Sequence, residues 1–275
     1  MNLARTLINL DKASPKQILV VGDAMVDVYV QGRVEETCQE GCPKFIEEDR
    51  FTAPGGAANA SRSLSQWKTK VVFPDTYPLV SRPTKTRFMV GDRCIFRYDI
   101  DKTEFSVDTR RIQLETMHYL PDSSAVLISD YDKRTLTPEF IREIATTCKQ
   151  FAIPCVADCK RLPSVYDGCI LKGNVEWSNR HKPNMMTPSM VITNGWDGPT
   201  VSSRTVITNR SRVPCVNHVG AGDCFAAHLA LALAHGFSLA HAAAIAHSAG
   251  RVYVQHRHNR PPKPEEIAAD MAGLF

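Results

Sequence analysis

Apolar and polar positions follow two rhythms along this chain. In the first, a short apolar run stops at a carboxylate or an amide. Residues 17–21 end in Gly22-Asp23, 124–128 in Ser129-Asp130, 154–157 in Asp158, and Met190–Thr193 in Asn194-Gly195. Runs of this length predict buried strands that feed polar loops. Between them, residues 57–67, 110–119 and 137–151 carry helical spacing, the last opening on Thr137-Pro138-Glu139, a cap followed by proline at the first helical position. Later come a small-residue helical run at 225–234, an alanine-rich helix at 238–253 capped by Ser238, and a helix at 264–271. Leu3, Leu7, Ile8 and Leu10 predict a short docking helix over residues 1–12. Strands alternating with helices predict an α/β fold: a mainly parallel sheet with helices on both faces. Ligands of such sheets collect beyond the carboxyl ends of the strands, where Asp23, Asp130, Asp158 and Asn194 make a polar rim.

The second rhythm belongs to residues 28–51 and 84–100, which are rich in charge and β-formers and alternate through Cys94-Ile95-Phe96-Arg97-Tyr98. They predict a small antiparallel β lid inserted in a single domain spanning 1–275, because structureless excursions of that length are unusual. Phe45, Ile46, Ile95 and Phe96 would leave one lid face apolar, which predicts a homodimer through the lid.

Composition narrows the function. The chain has 275 residues and a net charge of +4 with the signs interspersed, which argues against a dedicated nucleic-acid surface. The apolar run at 225–234 is too short to span a bilayer, so no membrane role is expected. Nine scattered cysteines and no signal-peptide pattern point to reduced thiols and a cytoplasmic protein. The pairs Cys38/Cys42 and Cys155/Cys159 lack a matching His or Cys set, so spacing does not make either a zinc site. His256 and His258 lie in a basic, proline-rich loop.

Candidate chemistry sits in two glycine motifs. In Gly220-Ala221-Gly222-Asp223, the glycines let a ligand approach the backbone and the following helix presents free N–H groups, an anion site. Asp223 beside bound phosphate makes sense as a base that takes a proton from a hydroxyl while the turn stabilises the phosphoryl group under attack. The same residues also make an ordinary capped helix start. Gly55-Gly56-Ala57-Ala58-Asn59 opens a second helix, with Asn59 able to donate and accept. Gly168–Gly173 has phosphate-loop spacing but continues in Asn174 rather than lysine, and no dinucleotide fingerprint follows a strand.

Gly22-Asp23-x-x-x-Asp27, Gly55–Asn59 and Gly220–Asp223, in this order, resemble the ribokinase-like carbohydrate kinases, also called the phosphofructokinase B family. Residues 20–27, 127–133 and 158–160 are most similar to the kinase domain that phosphorylates heptose 7-phosphate in lipopolysaccharide-precursor synthesis. The resemblance implies an enzyme that uses ATP and Mg²⁺ to phosphorylate a sugar or sugar phosphate. It implies Asp223 as base and the N–H groups of Gly220, Ala221 and Gly222 around the transferring group. Asp27, Gly55, Gly56 and Asn59 would bind the sugar with Asp23 nearby, and Lys160 would sit close to the phosphates. Asn174, Thr193, Asn194, Gly195 and Gly198 would lie on the nucleotide side, with Glu176 a metal candidate. Arg87, Arg93 and Arg97 on the lid could hold a phosphorylated acceptor. Two departures stand out: Asn217-His218-Val219 replaces the family's Asp-Thr-Thr, and Glu176 is displaced by one position in the Asn-x-x-Glu element. A binding protein that has lost turnover, and a nucleoside kinase, are the other readings of the same motifs.

Overall fold

The computed structural model describes residues 15–74, 82–101, 108–183 and 189–272, apart from 203, 207, 209 and 210. Strand β1 (Gln17–Gly22) sets the layering, because its side chains are buried on both sides: Ile18 and Val20 enter one apolar core, Leu19 and Val21 the other. Chain order continues β2 (Ala24–Thr37), β3 (Pro43–Gly56), α1 (Ala57–Ser63), β4 (Lys70–Val72), β5 (Thr84–Val90), β6 (Arg93–Ile100), α2 (Thr109–Tyr119), β7 (Ala125–Ser129) and α3 (Pro138–Gln150). It ends with β8 (Cys155–Asp158), β9 (Ile170–Asn174), α4 (Val175–His181), β10 (Met190–Thr193), β11 (Thr200–Val201), β12 (Arg204–Thr205), α5 (Ala221–Ala234), α6 (Leu239–Tyr253) and α7 (Pro264–Ala272).

The main sheet has the order β12-β11-β10-β9-β8-β7-β1-β4. It is parallel from β4 to β10, and only the β10–β11 and β11–β12 pairings are antiparallel. Helices α1, α5, α6 and α7 cover one face and α2, α3 and α4 the other. The two-sided parallel architecture read from the alternation is therefore present. So are the caps: Thr137 Oγ1 accepts from Phe140 N–H at 3.2 Å, and Ser238 Oγ from His241 N–H at 3.4 Å. Segment 1–12 lies outside the described residues.

The lid is a separate sheet, β3-β2-β5-β6, in which two antiparallel hairpins join through a parallel β2–β5 pairing. Its strands run several residues beyond the expected 28–51, from Ala24 to Gly56, so their inner ends are buried while their outer halves are exposed. Strands β4 and β9 and helix α4 were not anticipated. β4 is a three-residue edge strand, and Lys172 interrupts the apolar run of β9.

Helix α1 is shorter than the expected 57–67. Ser63 Oγ turns back to the Asn59 carbonyl at 2.8 Å, the helix closes at Leu64, and Trp67 turns inward. Trp67 Nε1–H donates to His228 Nε2 at 3.0 Å, and His228 Nδ1–H donates to the Cys224 carbonyl one turn back in α5 at 2.8 Å. Both nitrogens of this fully buried neutral imidazole are used, tying the end of α1 to α5. Burial pushes its pKa down to about 4. The unfolded chain, with histidine near 6.5, binds the proton more readily, so stability is full above about pH 6.5 and falls toward pH 4 by up to about 3 kcal/mol. Urea unfolding should show that loss in the wild type and a smaller acid-side slope in His228→Gln. Equal slopes would refute the assignment.

Candidate active site

Helix α5 begins just beyond the carboxyl ends of β1, β7 and β8, and its first turn carries Asp223 into the protein, 3% exposed. Gly220 is needed there. Its φ is +85°, and a Cβ would collide with the Asn59 amide nitrogen and the Tyr253 hydroxyl. Asn59 is the reason for the close approach. Its Nδ2 donates to Asp223 Oδ2 at 3.0 Å and to the Gly220 carbonyl at 3.2 Å, while its Oδ1 accepts from Tyr253 at 3.3 Å. Tyr131, from the loop after β7, donates its hydroxyl to Asp223 Oδ1 at 2.5 Å. Burial raises the Asp223 carboxyl to about 6, assisted by Asp158 and opposed by the Tyr131 and Asn59 hydrogen bonds and by Lys172. A carboxylate tuned there titrates where a general base operates.

Lys172 was not singled out from sequence. Its ammonium, buried beneath the Gly220–Gly222 turn, donates to Asp158 Oδ1 at 3.0 Å and to the Gly222 carbonyl at 3.1 Å. Removing one partner of such a buried pair costs about 3–5 kcal/mol, because the other charge is stranded. The only signal in the sequence was a lysine inside an apolar run beside Gly173.

The expected polar rim is present in position, but its carboxylates are consumed by the protein. Asp158 serves Lys172. Asp130 accepts from the Tyr166 hydroxyl at 2.7 Å and from Asp132 N–H at 2.9 Å. Asp23 accepts from the N–H groups of Tyr131, Lys133 and Thr135 at 2.8–3.1 Å. Asp23 thus shapes the loop that delivers Tyr131. Asn194 is exposed and bonds Asp197 at 3.2 Å.

On the lid side, buried Asp27 pairs with Arg87 at 2.6 Å. Gly55 makes room for this carboxylate, since a Cβ would come within 2.7 Å of Asp27 Oδ2; Gly56 joins β3 to α1. Two ammonium groups lie near the Tyr131 ring, Lys160 Nζ at 4.7 Å and Lys85 Nζ at 5.5 Å from its centroid. Burial lowers the Lys85 pKa, with Arg97 adding to the shift. An adjoining cavity of about 650 Å³ is lined by Tyr29, Arg87, Arg97, Asn217, His218 and Arg257. Arg93 is exposed and does not line it.

Across the turn lies a second, more apolar cavity of about 270 Å³, lined by Thr193, Gly195, Trp196, His218, Gly222 and Phe225 among others. Of the residues expected on the nucleotide side, it brings together Thr193 and Gly195. Asn174 instead caps α4, accepting from Trp177 N–H at 2.8 Å. Gly198 packs against Thr208, and Lys160 sits over Tyr131. Glu176 is exposed in the first turn of α4. The anion cradle also differs in detail from the expected one. Ala221 N–H donates to the His218 carbonyl at 3.2 Å, and the first helical bond is Cys224 N–H to Gly220. The N–H groups of Gly222 and Asp223 therefore have no acceptor within the helix. Asn217, in the departing triplet, braces this turn: it accepts from Val219 N–H at 3.0 Å and donates to Asn259 at 2.7 Å and Tyr29 at 3.3 Å. His218 lines both cavities.

Comparison with known proteins agrees with the fold. Residues 180–266 match the family model "pfkB family carbohydrate kinase". The bifunctional protein HldE of Koribacter versatilis is 26% identical over 92% of this chain and 62% of its own length. That of Caulobacter vibrioides is 28% identical over 87% and 60%. The chain thus spans about three fifths of these relatives. Arabidopsis thaliana ribokinase complexed with ribose and ATP superposes with a TM-score of 0.65 at 15% identity, over 94% of this chain and 99% of that one. Escherichia coli phosphofructokinase-2 with fructose-6-phosphate gives 0.68 at 14%, over 95% and 99%. Taken with the motifs, these likenesses support a ribokinase-like carbohydrate kinase of the pfkB type, related to the bifunctional HldE proteins.

Proposed function

We propose that the protein transfers the γ-phosphoryl group of ATP to a hydroxyl of a sugar phosphate, with Asp223 as the base. The observation that carries this reading is the buried Asp223 carboxyl, tuned to about 6, at a helix start flanked by two cavities. ATP takes the apolar cavity beside Trp196 and Phe225, with its phosphates toward the Gly222 and Asp223 N–H groups. The acceptor lies under the lid. Its hydroxyl replaces that of Tyr131 on Asp223 Oδ1 and loses its proton to the carboxylate. The oxygen then bonds to the γ-phosphorus as the bond to the departing ADP oxygen breaks. Asn59 and Lys172 hold Asp223 and its turn in register, and Asp23 holds the Tyr131 loop. Mg²⁺, a hard cation that prefers carboxylate and phosphate oxygens, would find Glu176 as an exposed carboxylate near the end of β9 and would neutralise phosphate charge. Nine free cysteines suit a reducing, cytoplasmic setting.

The acceptor class follows from charge. Lys85 and Lys160 face the Tyr131 ring rather than carboxylates, whereas Arg87 and Arg97 are paired with Asp27 and Asp99. Two ammonium groups beside the Tyr131 ring suit an anionic acceptor better than a neutral sugar or a nucleoside. Among sugars, sugar phosphates and nucleosides with Mg·ATP, sugar phosphates should give the fastest ADP release. Lys85→Met should raise KM for that acceptor about tenfold or more with KM for ATP unchanged, as loss of one charged hydrogen bond implies. A neutral sugar as best substrate, unaffected by Lys85→Met, would contradict the assignment.

The lid also supports a second copy of the chain as partner. Phe45 and Phe88 stack edge-on at 5.3 Å, and Phe88 meets Phe96 at 5.8 Å, leaving Phe96 60% exposed near Ile95, Tyr98 and Ile100. A sheet face of this kind next to an open edge strand calls for cover. Sedimentation at micromolar concentration should show a dimer that Phe96→Glu converts to monomer. A monomeric wild type would contradict it.

A further inference from the structure

The tip of the β2–β3 hairpin lies among the exposed outer residues of the lid and takes no part in the chemistry above. Cys38 N–H donates to the Cys42 carbonyl and Gly41 N–H to the Cys38 carbonyl, both at 2.9 Å, so residues 38–42 close into a tight turn with Gly41 at φ +78°. The turn gathers three side chains at its open end. Cys38 Sγ is 3.2 Å from Cys42 Sγ and 3.2 Å from Glu40 Oε2. Among the described residues, this is the only set of three His, Cys, Asp or Glu ligands with all donor atoms within 4.8 Å of one another.

We propose that Cys38, Glu40 and Cys42 form a binding site for a thiophilic divalent cation of the zinc class, with the fourth position open to water. Ligands at Zn–S of about 2.3 Å and Zn–O of about 2.0–2.2 Å on a tetrahedron stand roughly 3.5–3.8 Å apart, so shifts of about an ångström or less suffice. The charges nearby suit it. Lys44 is occupied by Glu35, and Arg33 by Glu35 and Glu48, while Glu40 is directed at the thiols. Cysteine spacing alone gave no such site because the third ligand is a carboxylate inside the turn. The exposed tip fits a labile ion, and a bound ion would staple β2 to β3 at the end of the lid.

The test is calorimetric titration of the reduced full chain with Zn²⁺, repeated with Cd²⁺ while following thiolate-to-metal charge-transfer absorbance. One equivalent per chain is expected, lost in Cys38→Ser/Cys42→Ser and weakened at least about tenfold in Glu40→Gln. The double variant keeps the buried Cys148, Cys155 and Cys169, with the Cys155 and Cys169 sulfurs 3.5 Å apart, so binding there would persist in it. The tip is exposed, and unchanged melting of the metal-free variants would confirm that they fold. An absence of binding to the reduced wild type, or an equivalent that survives the double substitution, overturns the proposal. Neither outcome bears on the kinase reading, which does not use this turn.

Discussion

Burying one carboxylate at the start of α5 is the constraint around which the rest of the site is arranged. An isolated Asp223 in that position would be expelled or protonated, since desolvation disfavours its charged form. The structure answers with Asn59 and Tyr131 on its two oxygens and with the Lys172 ammonium under the same turn. Each support comes from a different element: α1, the loop after β7, and β9. Lys172 in turn needs Asp158, and the Tyr131 loop needs Asp23. The charges at the strand ends thus form a supporting shell for one group. Its pKa, near 6, expresses the balance between burial, which raises it, and those partners.

Tyr131 joins this shell to the lid. Its hydroxyl touches Asp223 while its ring faces Lys85 of β5 and Lys160 after β8. An anion arriving under the lid would draw on those ammonium groups as its hydroxyl displaces the phenol. Under the proposed function, acceptor binding and exposure of Asp223 would be linked through one side chain. Asn217 supplies a parallel connection, bonding lid residue Tyr29 and the turn before Gly220.

Legibility in the sequence followed how local each determinant is. Apolar runs ending in Asp or Asn located β1, β7, β8 and β10, and the caps at Thr137 and Ser238 located two helices, because these signals are carried within a few residues. The lid was legible from charge alternation. β9 was not, because Lys172 breaks the apolar pattern and its reason, Asp158, lies on another strand. The end of α1 was missed because Trp67 turns toward His228, 161 positions away. For the site, order and spacing of the motifs brought Asn59 and Asp223 into one reading. Their direct contact, the Tyr131 hydroxyl and the enclosure of Asp23 depend on folding and had no local trace. The Asn174 cap on the next helix was likewise not read, although Asn is a common capping residue.

The central claim is that Asp223 takes the acceptor's proton, and Asp223→Asn tests it most directly. The amide keeps the shape and can still bond Asn59 and Tyr131 by rotation, but it cannot accept a proton at neutral pH. ADP release with the preferred sugar phosphate should fall by about 10²–10⁴-fold, with ATP affinity level or higher as a negative charge leaves the phosphate side. Wild-type kcat/KM should fall as pH drops below about 6, where Asp223 protonates. Undiminished turnover in Asp223→Asn would contradict the account, and a wild type without turnover on any acceptor would leave a binding protein in its place.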